Sequence, residues 1–164
     1  MILNIGNRVV YPSQGPCRIG AVVRKIVGGT PMRFYQLAVL DERGGELFVP
    51  VDKVSALGIR QLVEKSEIPK LLRQLQKAAA ATTNWKQRAM DNAKLLTSGS
   101  AFDLATIVES LTALNATKAL SPRDRQTLDR ARKLLICEIS EVTGETKSVA
   151  EKQVDQALEL GKTQ

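Results

Sequence analysis

The rhythm of polar and apolar positions changes near residue 60. Before it, the short runs "NRVVYP", "CRIGAVVRKIV", "MRFYQLAVL" and "ELFVP" are rich in Val, Ile, Phe and Tyr and are divided by Gly and Pro, the pattern of strands. "PSQGP" (12–16), "GGTP" (28–31) and "DERGG" (41–45) supply the turns, and the last suits a hairpin because Gly accepts the positive φ such loops require. Four or five short strands with no intervening helix predict a small, strongly bent barrel of the SH3 or Tudor kind over residues 1–60. Such a barrel has a modest core and at least one open strand edge.

Beyond residue 60 the apolar spacing is helical. "SEIPKLLRQLQKAAAA" offers Ser66 as an N-cap and Pro69 in the first turn, where a missing N–H leaves no bond unmade. "TTNWKQRAMDNAKLLTSG" runs from a Thr or Asn cap to a stop at Gly99, and "SAFDLATIVESLTALN" restarts at Ser100 with an apolar face of Phe102, Ala105, Ile107, Val108, Leu111 and Leu114. "SPRDRQTLDRARKLLICEISEVTG" combines Ser121, Pro122 and Asp124 in a capping pattern and ends at Gly144; "SVAEKQVDQALELG" repeats that grammar with Ser148 and Glu151. "KAAAATT" (77–83) reads as a helix end running into a loop. The expected class is α+β, with a compact five-helix bundle over residues 61–164 following the β module.

Composition removes several kinds of chemistry. There is no histidine, so the usual general base at neutral pH and every Ser-His or Cys-His arrangement are missing. Cys17 and Cys137 have no nearby thiol or imidazole, so a zinc site is not expected and both read as small packed hydrophobes. No Gly loop matches a P-loop or dinucleotide fingerprint, no acidic pair stands out, and neither an enzyme nor a cofactor is expected. No apolar run approaches the roughly 18 residues of a membrane span, and "MILNIGNRVVYP" lacks the features of a signal segment, so the expected location is cytoplasmic.

The net charge of +7 directs attention to anionic partners, and its distribution says more than its total. Residues 59–94 carry eight basic and three acidic groups, and 118–133 carry six and two. Each block is readable as a solvated face or as a phosphate-binding surface. Trp85, the sole tryptophan, stands inside the first block in "TTNWKQR". At 100° per residue from Trp85, Ala89, Met90, Ala93 and Leu96 form an apolar stripe centred at about 70°, with Arg88 at about 300° and Asn92 at about 340° on the other side of the indole. Trp85 is therefore expected at the stripe's margin, in the first helical turn. Two readings stay open: a ring packed on a neighbouring helix, or an aromatic that stacks on a base or wedges at a base step while Lys86 and Arg88 hold phosphates. On the later helix, Leu128, Ala131, Leu135, Ile139 and Val142 define a buried stripe and Arg123, Arg130 and Lys133 fall opposite it.

"IGNRVVYPSQGPCRIGAV" with "FVPVDKVSALGIR" resembles the RNA-polymerase-interacting domain of the CarD and CdnL family of bacterial transcription regulators, a module shared with transcription-repair coupling factor. "NWKQRAMDNAKLLTSGSAFDLATIVESL" and "LSPRDRQTLDRARKLLICEIS" resemble the family's helical domain. The resemblance implies a monomeric, non-enzymatic factor whose Tudor-like domain grips the polymerase β subunit through a strand edge, here Arg24, Lys25, Val27, Leu47 and Phe48. It implies a helical domain that reaches promoter DNA at the upstream fork of the transcription bubble, with Trp85 as a minor-groove wedge beside Lys86 and Arg88; the cationic strip of Arg123, Arg130 and Lys133, read from helix phase, completes the expected DNA-binding set. Departures stand at Gln87 and Met90, where relatives are often basic, at Phe48, where an Arg is frequent, and at Lys25, another common Arg position. Gln87 and Met90 weaken the expected phosphate contacts of the Trp85 helix or shift them to Arg123, Arg130 and Lys133, whereas Phe48 and Lys25 bear on the polymerase contact. An alternative within the same resemblance is an adaptor that recruits another regulatory protein to polymerase, with little direct DNA contact.

Overall fold

A computed structural model of the chain describes residues 3–77 and 83–162. Most of "KAAAATT", read above as a helix end entering a loop, lies outside the described residues. The chain divides into two compact units, Met1–Leu62 and Val63–Gln164.

The first unit is an antiparallel five-stranded sheet of β1 (Arg8–Tyr11), β2 (Gly15–Val27), β3 (Thr30–Val39), β4 (Glu46–Pro50) and β5 (Arg60–Gln61), in the order β4-β3-β2-β1-β5. The β2–β3 hairpin closes through Gly28 and Gly29, at φ +59° and +80°; two consecutive positive φ values are what a two-residue turn matching strand twist demands. In the β3–β4 loop, Asp41 Oδ1 accepts from the N–H groups of Arg43 and Gly44, so the side chain replaces a backbone turn. A register shift between Ile19 and Ala21 divides β2 into a half buried in the core and a half that extends beyond it. Bulges of this kind bend a strand, which is how so small a sheet curves over its core. That core consists of Leu3, Val9, Cys17, Ile19, Tyr35, Leu37, Val39, Val49, Val54 and Ile59. The four expected strands are present, and β5, too short to stand out by pattern, pairs with β1.

The second unit contains α1 (Ile68–Leu75), α2 (Trp85–Ser98), α3 (Ala101–Thr117), α4 (Pro122–Thr143) and α5 (Lys147–Lys162). Helix α3 is apolar almost all round because it packs against each of the other four. Leu104, Ala105, Ile107, Val108 and Leu111 are buried there, while Phe102 and Leu114 are only partly covered. Ser100 and Ser121 cap α3 and α4 as expected, each accepting from the N–H three residues on, and Gly99 and Gly144 end α2 and α4 in left-handed conformations.

Two expected caps are corrected. Ser66 lies within a short 3-10 turn, Lys65–Glu67, and α1 begins after Glu67 without a side-chain cap. Helix α5 begins ahead of Ser148, and its capping hydroxyl belongs to Thr146, whose Oγ1 accepts from Val149 N–H at 3.2 Å. Arg132 then ties α4 to α5 by bonding both Glu151 and Asp155.

Candidate functional site

Asn84 sets the start of α2. Its Oδ1 accepts from the N–H groups of Lys86 and Gln87 at 3.0 and 3.1 Å, satisfying two donors that a helix start leaves open. Trp85 is consequently the first helical residue, and 61% of it is exposed. The ammonium of Lys86 lies 5.5 Å from its ring centroid, within cation–π range.

The expected phase of α2 is corrected. Its buried side chains are Arg88 and Asn92, with Leu95 and Leu96 partly covered on the core, whereas Met90 is 57% exposed and Ala93 faces solvent. The inward face thus centres at about 330° rather than about 70°. The physical reason is an ion pair that hydrophobic patterning does not register. Arg88 Nη2 donates to Asp124 Oδ2 at 2.9 Å, Nε lies 3.3 Å from both carboxylate oxygens, and Nη1 donates to the Thr83 carbonyl at 3.4 Å. Only 6% of either residue is exposed. Arg88 is therefore placed inward as a tie between α2 and α4, not outward as a phosphate ligand.

Burial alone would push the Asp124 carboxyl up. Hydrogen bonds from Arg88 and Ser121, and the charges of Arg88 and Lys118, outweigh that effect and hold it below its ordinary value. Ser121 serves the same residue twice, accepting from Asp124 N–H and donating to Oδ2, both at 3.1 Å.

Beside this pair runs a groove walled by Trp85, Arg88 and Ala89 of α2, by Lys118, Ala119 and Leu120 of the link to α4, and by Ser121 to Asp124 at the start of α4. Lys118 and Arg123 are its exposed cations. Of the expected nucleic-acid residues, Trp85, Arg88 and Arg123 line this groove, and Lys86 stands beside the Trp85 ring without lining it. Arg130 and Lys133 are exposed on α4 but lie about 10 and 15 Å farther along the helix, outside the groove lining. Lys118 was not among the expected residues; its signal is its place in the second basic block, directly ahead of the Ser121 cap.

On the sheet, strand alternation sorts the five expected polymerase-facing residues. Gln36 pairs with Phe48 and Ala21, and Met32 pairs with Lys25, which puts Phe48, Lys25 and Val27 on the outer face. There the Lys25 ammonium sits 3.5 Å from the Phe48 ring centroid. Leu47 pairs with Leu37 and packs on the core, and Arg24 shares the opposite side of β2 from Lys25. β4 is an edge strand, bonded on one side to β3. The exposed contact at this edge is Phe48 with the Lys25 ammonium over its ring, while Val27 lies at the far tip of the β2–β3 hairpin, paired with Thr30, and Leu47 packs on the core.

Among the described residues no group of His, Cys, Asp or Glu is arranged to hold a metal ion, and no helix is long and apolar enough to cross a membrane. Both cysteines are buried and neither forms a disulfide, and burial pushes the Cys17 thiol up to about 11.

Comparison with known proteins agrees with both halves of the chain. Residues 3–63 match the model of the CarD-like/TRCF RID domain, and residues 67–155 match that of the CarD C-terminal domain. The Bacillus subtilis (strain 168) protein YdeB, provisionally named a transcription factor, is 24% identical over 154 residues, covering 93% of this chain and 97% of its own. The solution structure of the 72-residue N-terminal domain of Myxococcus xanthus CarD is 42% identical over 36% of this chain and 77% of that domain, with a TM-score of 0.31. With the two domain models in order along the sequence, the chain belongs to the CarD/CdnL family of bacterial transcription regulators.

Proposed function

We propose that this protein is a monomeric, non-enzymatic factor that binds the RNA polymerase β subunit through the β4 edge of its sheet and stabilises the open promoter complex by placing Trp85 at the upstream fork of the bubble. The observation that carries the reading is the exposed indole on a capped helix start, with Lys86 beside it and the cations Lys118 and Arg123 in the adjoining groove. An aromatic inserted at a partly unstacked base step requires an exposed ring, and the surrounding cations supply the attraction for phosphate.

The thermodynamics need no sequence readout. A factor that binds the open state better than the closed state shifts the equilibrium by its differential affinity alone. A duplex that has not opened presents no unstacked step to the indole, so the differential lies in the ring contact while phosphate contacts serve both states. Phe48, with the Lys25 ammonium over its ring, gives edge strand β4 an exposed apolar contact with one positive charge. The test is the lifetime of polymerase–promoter open complexes with Trp85→Ala. The adaptor reading gives unchanged lifetimes and little dependence of DNA retention on salt, whereas phosphate contacts weaken steeply as salt rises.

A further inference from the structure

We propose that Arg88 and Asp124 are positioning residues for Trp85: their buried ion pair fixes the first turn of α2 on the first turn of α4 and so sets where the indole stands. This rests on the reading of Trp85 as the group that meets DNA.

With most of the ring outside the core, its placement depends on the backbone that carries it. That backbone is held from three sides. Arg88, three residues after Trp85, bonds Asp124 through Nε and Nη2 and the Thr83 carbonyl through Nη1, so one guanidinium grips α4 and the chain entering α2. Asp124 is in turn fixed by Ser121 at the cap of α4, and Asn84 fixes the start of α2. The resulting chain of contacts runs from Ser121 through Asp124 and Arg88 to the turn bearing Trp85, along one wall of the groove that Lys118 and Arg123 line. A bidentate guanidinium–carboxylate contact is directional, which suits it to holding two helix starts at a defined separation.

Charge and geometry make opposite predictions for one substitution. If the pair acted on DNA only through its field, Asp124→Asn would remove a negative charge beside the groove, leave Arg88 cationic and tighten DNA binding. If it positions Trp85, the same change loosens the turn and weakens binding.

The experiment uses the full chain and a DNA duplex with a preformed bubble. Trp85 is the only tryptophan, so its emission anisotropy and its quenching by acrylamide report on this ring alone. Asp124→Asn is expected to lower Trp85 anisotropy, raise its quenching and weaken bubble binding about tenfold, the scale of coupling between directly contacting groups. Arg88→Lys, which keeps the charge but loses the fork, should move each readout the same way and serves where a larger change prevents folding. Unchanged anisotropy and quenching in both variants would overturn the proposal, as would bubble binding by Asp124→Asn as tight as wild type or tighter. Trp85→Ala separates the two layers: if it binds the bubble like wild type, the DNA reading fails, while the anisotropy of the other variants still decides whether the pair holds the ring.

Discussion

Arg88 and Asp124 are separated by 36 positions and meet as a buried ion pair at 2.9 Å, joining the first turns of α2 and α4. Truncating one member leaves the other charged and desolvated, which typically costs about 3–5 kcal/mol. Asp124→Ala should therefore lower unfolding free energy by several kcal/mol, and the double truncation with Arg88→Ala should cost less than the sum of the two singles. Denaturant titration of the four proteins measures the difference. Because the folded carboxyl titrates below its unfolded value, the stabilisation is present above the ordinary Asp range and fades as pH falls through the folded value.

Glu109 titrates in the opposite sense. It is buried on α3, its Oε2 has no hydrogen-bond partner, and it lines a small cavity with Leu75, Lys77, Ala113 and Leu158. Burial raises its pKa to about 7, with Lys77 opposing the shift. The folded chain thus holds a proton that the unfolded chain has released, and stability declines as pH rises from the ordinary carboxyl range towards about 7. Glu109→Gln should flatten that decline, raising the melting temperature relative to wild type at pH 8 and changing it little at pH 5. Parallel melting curves across the range check the sign.

Phe48 and Leu47 are neighbours in sequence with opposite surroundings. Phe48→Ala should leave the melting temperature close to wild type and weaken β-subunit binding, because the ring and the Lys25 ammonium over it lie on the outer face. Leu47→Ala should destabilise the sheet by about 2 kcal/mol, since Leu47 packs on its core. A pull-down of the β subunit, paired with melting curves, separates the two effects.

Gly161 is the place in α5 where a side chain has no room. A Cβ there would lie 2.9 Å from the Gln76 carbonyl oxygen and 3.2 Å from its carbon, both backbone atoms. Gly161→Ala gains helix propensity but forces α5 away from the end of α1, so a net loss of about 1–3 kcal/mol is expected by denaturant titration.

The elements of this fold are legible where their signals are local. Ser100, Ser121, Pro122, Gly99 and Gly144 announce helix ends because capping bonds span three or four residues, and the Gly28–Gly29 turn announces its hairpin for the same reason. β5 is two residues long and exists only through its pairing with β1, so periodicity does not reveal it. Ser66 and Ser148 are plausible caps with competitors nearby, and tertiary packing places the helix starts elsewhere. At the candidate site, Trp85 stands out by its isolation among polar residues. Arg88 misleads, because an arginine beside a tryptophan in a basic segment has the same spelling whether it faces solvent or Asp124. Only the partner decides, and it lies in another helix.

The lifetime of open promoter complexes formed by polymerase with the full chain, wild type against Trp85→Ala, is the most direct measurement of the central claim. With folding and β-subunit binding retained, Trp85→Ala should shorten that lifetime towards the value without the protein. A lifetime equal to wild type would contradict the assignment of Trp85 to the fork.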